Sequence, residues 1–141
     1  MTLAERAAAT QAVIERFRDK PFDWRTSGTC IHLFRAQAVA MGHKPPPIRR
    51  FRSALSAKRA LDGMGHDSVG ALIEALLPGA RIAPAEMIVG DVGVLPGEQG
   101  LDAVVICAGA KVLGWHGADP SRLLPIDVCR SEFLAAWRLG A

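Results

Sequence analysis

The sequence predicts an α+β domain in which helices come first along the chain and a mostly antiparallel sheet follows. Up to about residue 79, apolar residues recur at helical spacing. The remainder consists of short β-rich runs separated by glycine and proline. When helices and strands segregate in this way, the helices pack on an antiparallel sheet. With 141 residues the chain can build one core, so residues 1–141 are predicted to form a single domain.

The first predicted element is an amphipathic helix over residues 3–19. Thr2 precedes it as a candidate N-cap, and Glu5 follows three residues later, which is the spacing of a capping box. The apolar stripe of this helix consists of Leu3, Ala7, Val13, Ile14 and Phe17. Because these positions recur with a helical period, the stripe is expected to face the core.

Three more helices are predicted before the pattern changes. They span residues 29–41, 49–65 and 67–79. A loop with Pro21 and Gly28 separates the first two helices, and Gly42 is a suitable residue to end the second. Asp67 or Ser68 is expected to cap the last helix.

Strands are predicted in the second half, where apolar runs are short and bounded by glycine or proline. The clearest segments are 81–96, 101–109 and 110–117. One or two further strands are expected in segments 121–129 and 133–141.

Composition and charge exclude several function classes. The net charge of +3 is mildly basic, so it permits an anionic partner without requiring one. No apolar stretch approaches the roughly 18 residues needed to span a bilayer, and the N-terminal segment lacks the pattern of a signal peptide. The protein is therefore expected to be synthesised in the cytoplasm and to have no membrane partner.

The three cysteines, Cys30, Cys107 and Cys129, are widely spaced and form no CxxC pair. This pattern predicts neither a disulfide framework nor a zinc site. Cys107 lies within an apolar run and is interpreted as a core residue. The glycine-rich segment 90–100 matches neither a P-loop nor a dinucleotide fingerprint, so neither a metal nor a cofactor is expected.

Short motifs along the chain carry a family resemblance. They are Pro21, Phe22 and Trp24 in a loop, Cys30 followed by Phe34, the pair Gly90-Asp91, and Ala136-Trp137-Arg138. In this order they resemble small phage- and prophage-associated families that are distantly similar to the NlpC/P60 cysteine peptidases. The resemblance implies a papain-like fold and a nucleophilic cysteine at the start of a helix.

The chain departs from the pattern of such families at four positions. Arg25 stands where they have a glycine, and Thr29 where they have an aspartate. The histidine that begins the strand after "GD" aligns with Ala103, and the third polar residue aligns near Gly114. The resemblance therefore implies the fold and the cysteine, but a degenerate catalytic set.

Cys30 is the candidate nucleophile. A helix N-terminus stabilises a thiolate through its unpaired N–H groups, and a neighbouring imidazolium would stabilise it further. The alternative is that Cys30 is a small buried residue, since cysteine is among the most often buried residue types.

The general base is harder to place. His32 is nearest in sequence, but residues two apart on a helix point about 200° from each other, so it is not expected to face Cys30. His116 is the remaining candidate base, because on a strand it shares a face with Gly114. Asp102 is a candidate to orient an imidazole; the alternative is a solvated residue at a strand end.

Two further groups of residues have a functional and a structural interpretation. Trp24 and Trp115 are candidates to line a substrate groove, or they fasten the loop before Cys30 to the core. A basic segment contains Arg49, Arg50, Arg52, Lys58 and Arg59. It would suit nucleic acid, but a solvated helix face is the preferred interpretation.

These observations favour a phage or prophage tail-associated protein with an NlpC/P60-like fold and a structural or assembly role. Other phage tail proteins are its expected partners, peptidoglycan is a second candidate, and nucleic acid is not expected. The alternative is an active thiol hydrolase that cleaves peptidoglycan peptides through Cys30. A nucleic-acid-binding accessory protein is the third hypothesis.

Overall fold

The computed structural model describes residues 1–26, 28–48, 51–97, 101–116, 119–126 and 132–140, without the side chains of His116, Asp119 and Pro120. The helices are α1 (Leu3–Phe17), α2 (Cys30–Ala40), α3 (Ala54–Gly63) and α4 (Val69–Leu76). The strands are β1 (Arg81–Ile82), β2 (Val92–Leu95), β3 (Ala103–Cys107), β4 (Val112–His116), β5 (Asp119–Ile126) and β6 (Ala135–Trp137). Helices precede strands, as the sequence predicts.

The strands form one six-stranded sheet in the order β1-β6-β2-β3-β4-β5. Each neighbouring pair is antiparallel. The last strand, β6, lies between β1 and β2, so the C-terminal segment completes the sheet. The predicted α+β class with an antiparallel sheet is confirmed. Across the described ranges, every helix is too short or too polar to cross a membrane.

A serine or threonine side chain caps each helix. Thr2, Thr29, Ser53 and Ser68 accept hydrogen bonds from the backbone N–H groups three residues later, at 3.0–3.2 Å. The cap at Thr2 is the one that the sequence predicts, and of the two candidates Asp67 and Ser68, Ser68 caps α4. The third helix begins at Ala54 rather than at 49, because Ser53 and Ser56 cap each other there. Arg49 and Arg50 of the predicted basic segment lie outside the described residues.

The buried face of α1 is partly polar, which corrects the predicted apolar stripe. Leu3 is 63% exposed, and Ala7 is exposed as well. The buried face instead continues from Val13, Ile14 and Phe17 to Thr10 and Arg6. Arg6 can enter the core because its charge is compensated there by Asp91 at 2.7 Å.

The sheet has two buried faces, and successive residues of β3 alternate between them. Val104 and Ile106 pack with Cys30 in the main core, on the side of the helices. Val105 and Cys107 belong to a second apolar cluster. Cys107 is fully buried, which confirms its predicted place in the core. Cys129 lies outside the described residues.

Candidate functional site

Cys30 is the first residue of α2, directly after the N-cap Thr29. This helix packs against β3, and the Cys30 Sγ lies 3.7 Å from the carbonyl oxygen of Asp102. The side chain is 8% exposed. The sequence therefore places this cysteine correctly at a helix N-terminus, but the thiol meets the backbone of the sheet rather than solvent.

The surroundings of Cys30 favour the neutral thiol. Burial raises its pKa above the usual value, and the nearby charge of Asp102 acts in the same direction. Backbone N–H groups, with Val104 foremost, lower the pKa but do not offset the burial. As the S–H donor, the thiol can hydrogen-bond the Asp102 carbonyl, whereas a thiolate would be repelled by that oxygen. The helix N-terminus is thus insufficient to activate this cysteine.

Two of the described histidine side chains, those of His32 and His43, form hydrogen bonds with groups other than the Cys30 thiol. The Nδ1 of His32 lies 2.7 Å from the Oγ1 of Thr29, so this ring is hydrogen-bonded at the start of its own helix. The Nε2 of His43 accepts a hydrogen bond from the backbone N–H of Gly140 at 3.0 Å. His116, the candidate base, ends β4, and its side chain lies outside the described residues.

Ala103, the residue aligned with the family histidine, does not face Cys30. It packs against the second apolar cluster, while Val104 packs with Cys30 in the main core. A side chain at position 103 therefore starts on the opposite face of the sheet. The aligned position lacks an imidazole and also points away from the thiol.

Asp102 acts on α4 rather than on an imidazole in the described part of the chain. Its Oδ2 accepts a hydrogen bond from the backbone N–H of Gly70 at 3.0 Å. Gly70 is in the first turn of α4, where N–H groups lack helical partners and a negative charge is favourable. Of the two predicted roles, a polar residue at a strand end is closer to what is found, with α4 as its partner.

Trp24 and Trp115 belong to an aromatic cluster. Trp24 packs edge-to-face on Phe22, with the ring centroids 5.1 Å apart, and Trp115 packs on the same ring at 5.6 Å. The indole N–H of Trp115 donates to the carbonyl of Lys20 at 2.9 Å. These contacts match the structural interpretation, in which both rings fasten the loop before α2 to the core.

A buried ion-pair network was missed by sequence reasoning. Asp91 is completely buried, and its Oδ1 accepts from the Nη2 of Arg6 at 2.7 Å and from the N–H of Leu139 at 3.2 Å. Its Oδ2 accepts from the Nε of Arg138 and the N–H of Ile88, both at 2.9 Å. Two of the motifs that carry the family resemblance, "GD" and "AWR", thus meet in one charge network.

The network joins the two ends of the chain. Besides Asp91, Arg6 donates to the carbonyl of Val89 at 2.8 Å and to the carbonyl of Leu139. The available sequence signal was the spacing of Arg6 and Thr10, which extends the stripe of Val13 and Phe17 toward the N-terminus.

A cleft of about 390 Å³ opens between α4 and strands β1, β2 and β6. Its lining includes the carboxylates of Glu74 and Asp102, the guanidinium of Arg81 and the indole of Trp137. Neither Trp24 nor Trp115 contributes to it. Within the described residues, no cluster of three histidine, cysteine, aspartate or glutamate side chains could hold a metal ion.

A family model described as "Domain of unknown function (DUF6950)" matches residues 1–139. No curated protein and no solved structure matches the sequence.

Proposed function

The chain belongs to the DUF6950 family, whose description assigns no activity. From the geometry around Cys30 we propose that the protein is a non-catalytic domain with a degenerate, papain-like site, and that its role is to bind other proteins during assembly. The observation that carries this proposal is the covered thiol of Cys30, which lies 3.7 Å from the Asp102 carbonyl.

Three features of the site support a non-catalytic role. A nucleophilic cysteine requires a thiolate and access to substrate, whereas Cys30 has a raised pKa and is buried. His32 is hydrogen-bonded to Thr29. Ala103 lies on the other face of the sheet. The first feature removes the activated thiolate, and the third removes an imidazole from the position that aligns with the family histidine.

The proposed setting is a phage or prophage tail, with other tail proteins as partners. Its support is the order of the "PFxW" loop, the helix-opening cysteine, the "GD" pair and the "AWR" end in the sequence. The same resemblance supports the NlpC/P60-like version of the α+β fold.

The thiol of Cys30 is expected to react slowly with iodoacetamide. At pH 7 its rate constant in the folded protein should be at least about tenfold below that of the same cysteine in urea, because burial raises its pKa and restricts access. The alkylation of each cysteine is followed by mass spectrometry of its peptide between pH 6 and 10. The rate should still be rising at pH 8.5, about the ordinary thiol pKa.

A reactive Cys30 would contradict this proposal. The contrary result is a titration midpoint below about 8, together with hydrolysis of peptidoglycan peptides that the Cys30→Ala variant has lost. That pair of results would favour the thiol hydrolase.

A tail-assembly role predicts that the protein is present in purified tails, or in a complex with tail proteins from the same lysate. Because the proposed role does not use the thiol, the Cys30→Ala variant should be incorporated to the same extent as the parent. Quantitative mass spectrometry of purified particles measures the amount of the parent protein and the amount of the Cys30→Ala variant that they contain. Absence from tails and from complexes with tail proteins would refute the setting, while slow alkylation would still support a non-catalytic domain.

A further inference from the structure

The cleft beside α4 combines an apolar surface with acidic groups. Leu134, which is 53% exposed, contributes the accessible apolar side chain, while Val94 and Ala135 line the cleft as buried residues of the sheet. Glu74 and Asp102 contribute carboxylates. A side chain with an aliphatic stem and a cationic end would match this combination.

Of the two carboxylates in the cleft, that of Glu74 is paired with Arg81, whereas that of Asp102 has less neighbouring positive charge to compensate it. Asp102 is half-buried, and its Oδ2 accepts from the Gly70 N–H. In the ranges that the structure covers, no lysine, arginine or histidine lies within 4.0 Å of this carboxylate. A carboxylate has two acceptor oxygens, so one backbone N–H leaves capacity for a further donor.

Arg81 shows that the cleft accommodates a cationic group. Its guanidinium carbon lies 5.4 Å from the centroid of the Trp137 ring, and its Nη1 is 3.5 Å from the Oε2 of Glu74. The same Oε2 accepts the indole N–H of Trp137 at 2.6 Å. One end of the cleft is thus occupied by a cation of the protein itself, while Asp102 lies at the same cleft without one.

We propose that the cleft binds a segment of a partner protein through a lysine or arginine side chain that is flanked by an apolar residue. The cationic end pairs with Asp102, and its stem and the apolar neighbour pack on the exposed side chain of Leu134. This inference rests on the proposed binding function and names the surface that performs it. Charge complementarity is the reason for a basic segment: the cleft carries two carboxylates and one guanidinium.

A pair of blocked peptides tests the inference. The probes are acetyl-Leu-Lys-Leu-amide and the same peptide with acetylated lysine, which keeps the stem and removes the charge. The amide signal of Gly70 and the indole N–H signal of Trp137 report binding in ¹H–¹⁵N NMR spectra. The lysine peptide should shift both signals saturably, and the acetylated peptide should bind at least about tenfold more weakly, since a charge-assisted hydrogen bond is lost.

Asp102→Asn is the matching protein variant, because asparagine keeps an oxygen that can accept from Gly70 while it loses the charge. It should weaken the lysine peptide by about tenfold or more. The control is Asp62→Asn, which makes the same change of charge at an exposed position of α3 outside the cleft. Binding to the control variant should stay within about twofold of the parent.

Several results would overturn this proposal. They are the absence of saturable shifts up to about 10 mM peptide, equal affinity for the two peptides, and unchanged affinity in Asp102→Asn. If one of these occurs and Cys30 is unreactive, the non-catalytic function stands and its partner binds elsewhere. If the peptide binds as expected but Cys30 is reactive, the cleft stands and the non-catalytic function is wrong.

Discussion

Replacing Asp91 with alanine is expected to lower the free energy of unfolding by about 3–5 kcal/mol. The reason is that the charge of Arg6 would remain buried without its carboxylate, while the N–H groups of Ile88 and Leu139 would lose their acceptor. A domain of this size has a total stability of about 5–15 kcal/mol, so the loss is a large part of it.

Urea unfolding followed by circular dichroism measures this loss, with Asp62→Asn as a control at an exposed carboxylate of α3. Arg138→Gln provides a comparison within the network. The side chain of Arg138 is 39% exposed, so water can replace part of its contact, and we expect a loss of about 1 kcal/mol or less. Of the two residues, the more deeply buried Asp91 should therefore show the larger loss of unfolding free energy when it is replaced.

Arg6→Lys keeps the network testable if Asp91→Ala does not fold. Lysine preserves the charge but cannot direct donors to Asp91, Val89 and Leu139 with the geometry of a guanidinium. We expect a loss of about 2 kcal/mol. Stability within about 0.5 kcal/mol of the parent for this variant would show that the positive charge alone stabilises the fold and that the donor geometry of the guanidinium does not.

This network gives a physical reason for the motifs that carry the family resemblance. In "GD", Gly90 has φ of 96°, and a Cβ there would lie 2.7 Å from the Cε of Met41. Asp91, the next residue, then joins the N-terminal helix to Arg138 of "AWR". Residues at these motif positions connect α1 with the segment that follows β6, a structural role that does not depend on catalysis.

Local signals explain what could be predicted from the sequence. Thr2 and Ser68 bond to backbone groups three residues away, and Gly42 follows the last helical residues of α2 with φ of 93°. Such features depend on a few neighbouring residues. The α+β class was predictable for the same reason, because it follows from the period of the apolar residues in each half.

The contacts that define the site are distant in sequence, and these could not be predicted. Asp102 is 32 residues from Gly70 and 72 from Cys30, and Asp91 is 85 residues from Arg6. An arginine such as Arg6 within the apolar stripe of a predicted helix is interpreted as exposed to solvent, unless it is known that a buried carboxylate such as that of Asp91 pairs with it. The face of Ala103 likewise depends on the register of β3 against β2, which the sequence pattern alone did not determine.

The "AWR" segment shows how one strand serves both faces of the sheet. Ala136 packs in the second cluster, and Trp137 packs in the main core with its indole N–H on Glu74. Successive residues of β6 thus point to opposite faces of the sheet. Arg138 then turns its guanidinium to Asp91.

Trp137→Ala is therefore expected to cost about 3–5 kcal/mol of unfolding free energy, because it empties a fully buried position between α4 and the sheet. Trp24→Ala is the matched control: it removes the same side chain from a half-buried loop position and should cost less than half as much.

Trp137→Phe separates packing from hydrogen bonding. It keeps an aromatic ring and loses the bond to Glu74, which is half-exposed and can hydrate, so about 1–2 kcal/mol is expected. Equal losses for Trp137→Ala and Trp24→Ala in urea unfolding would contradict the assignment of Trp137 to the core, since burial is what distinguishes the two positions.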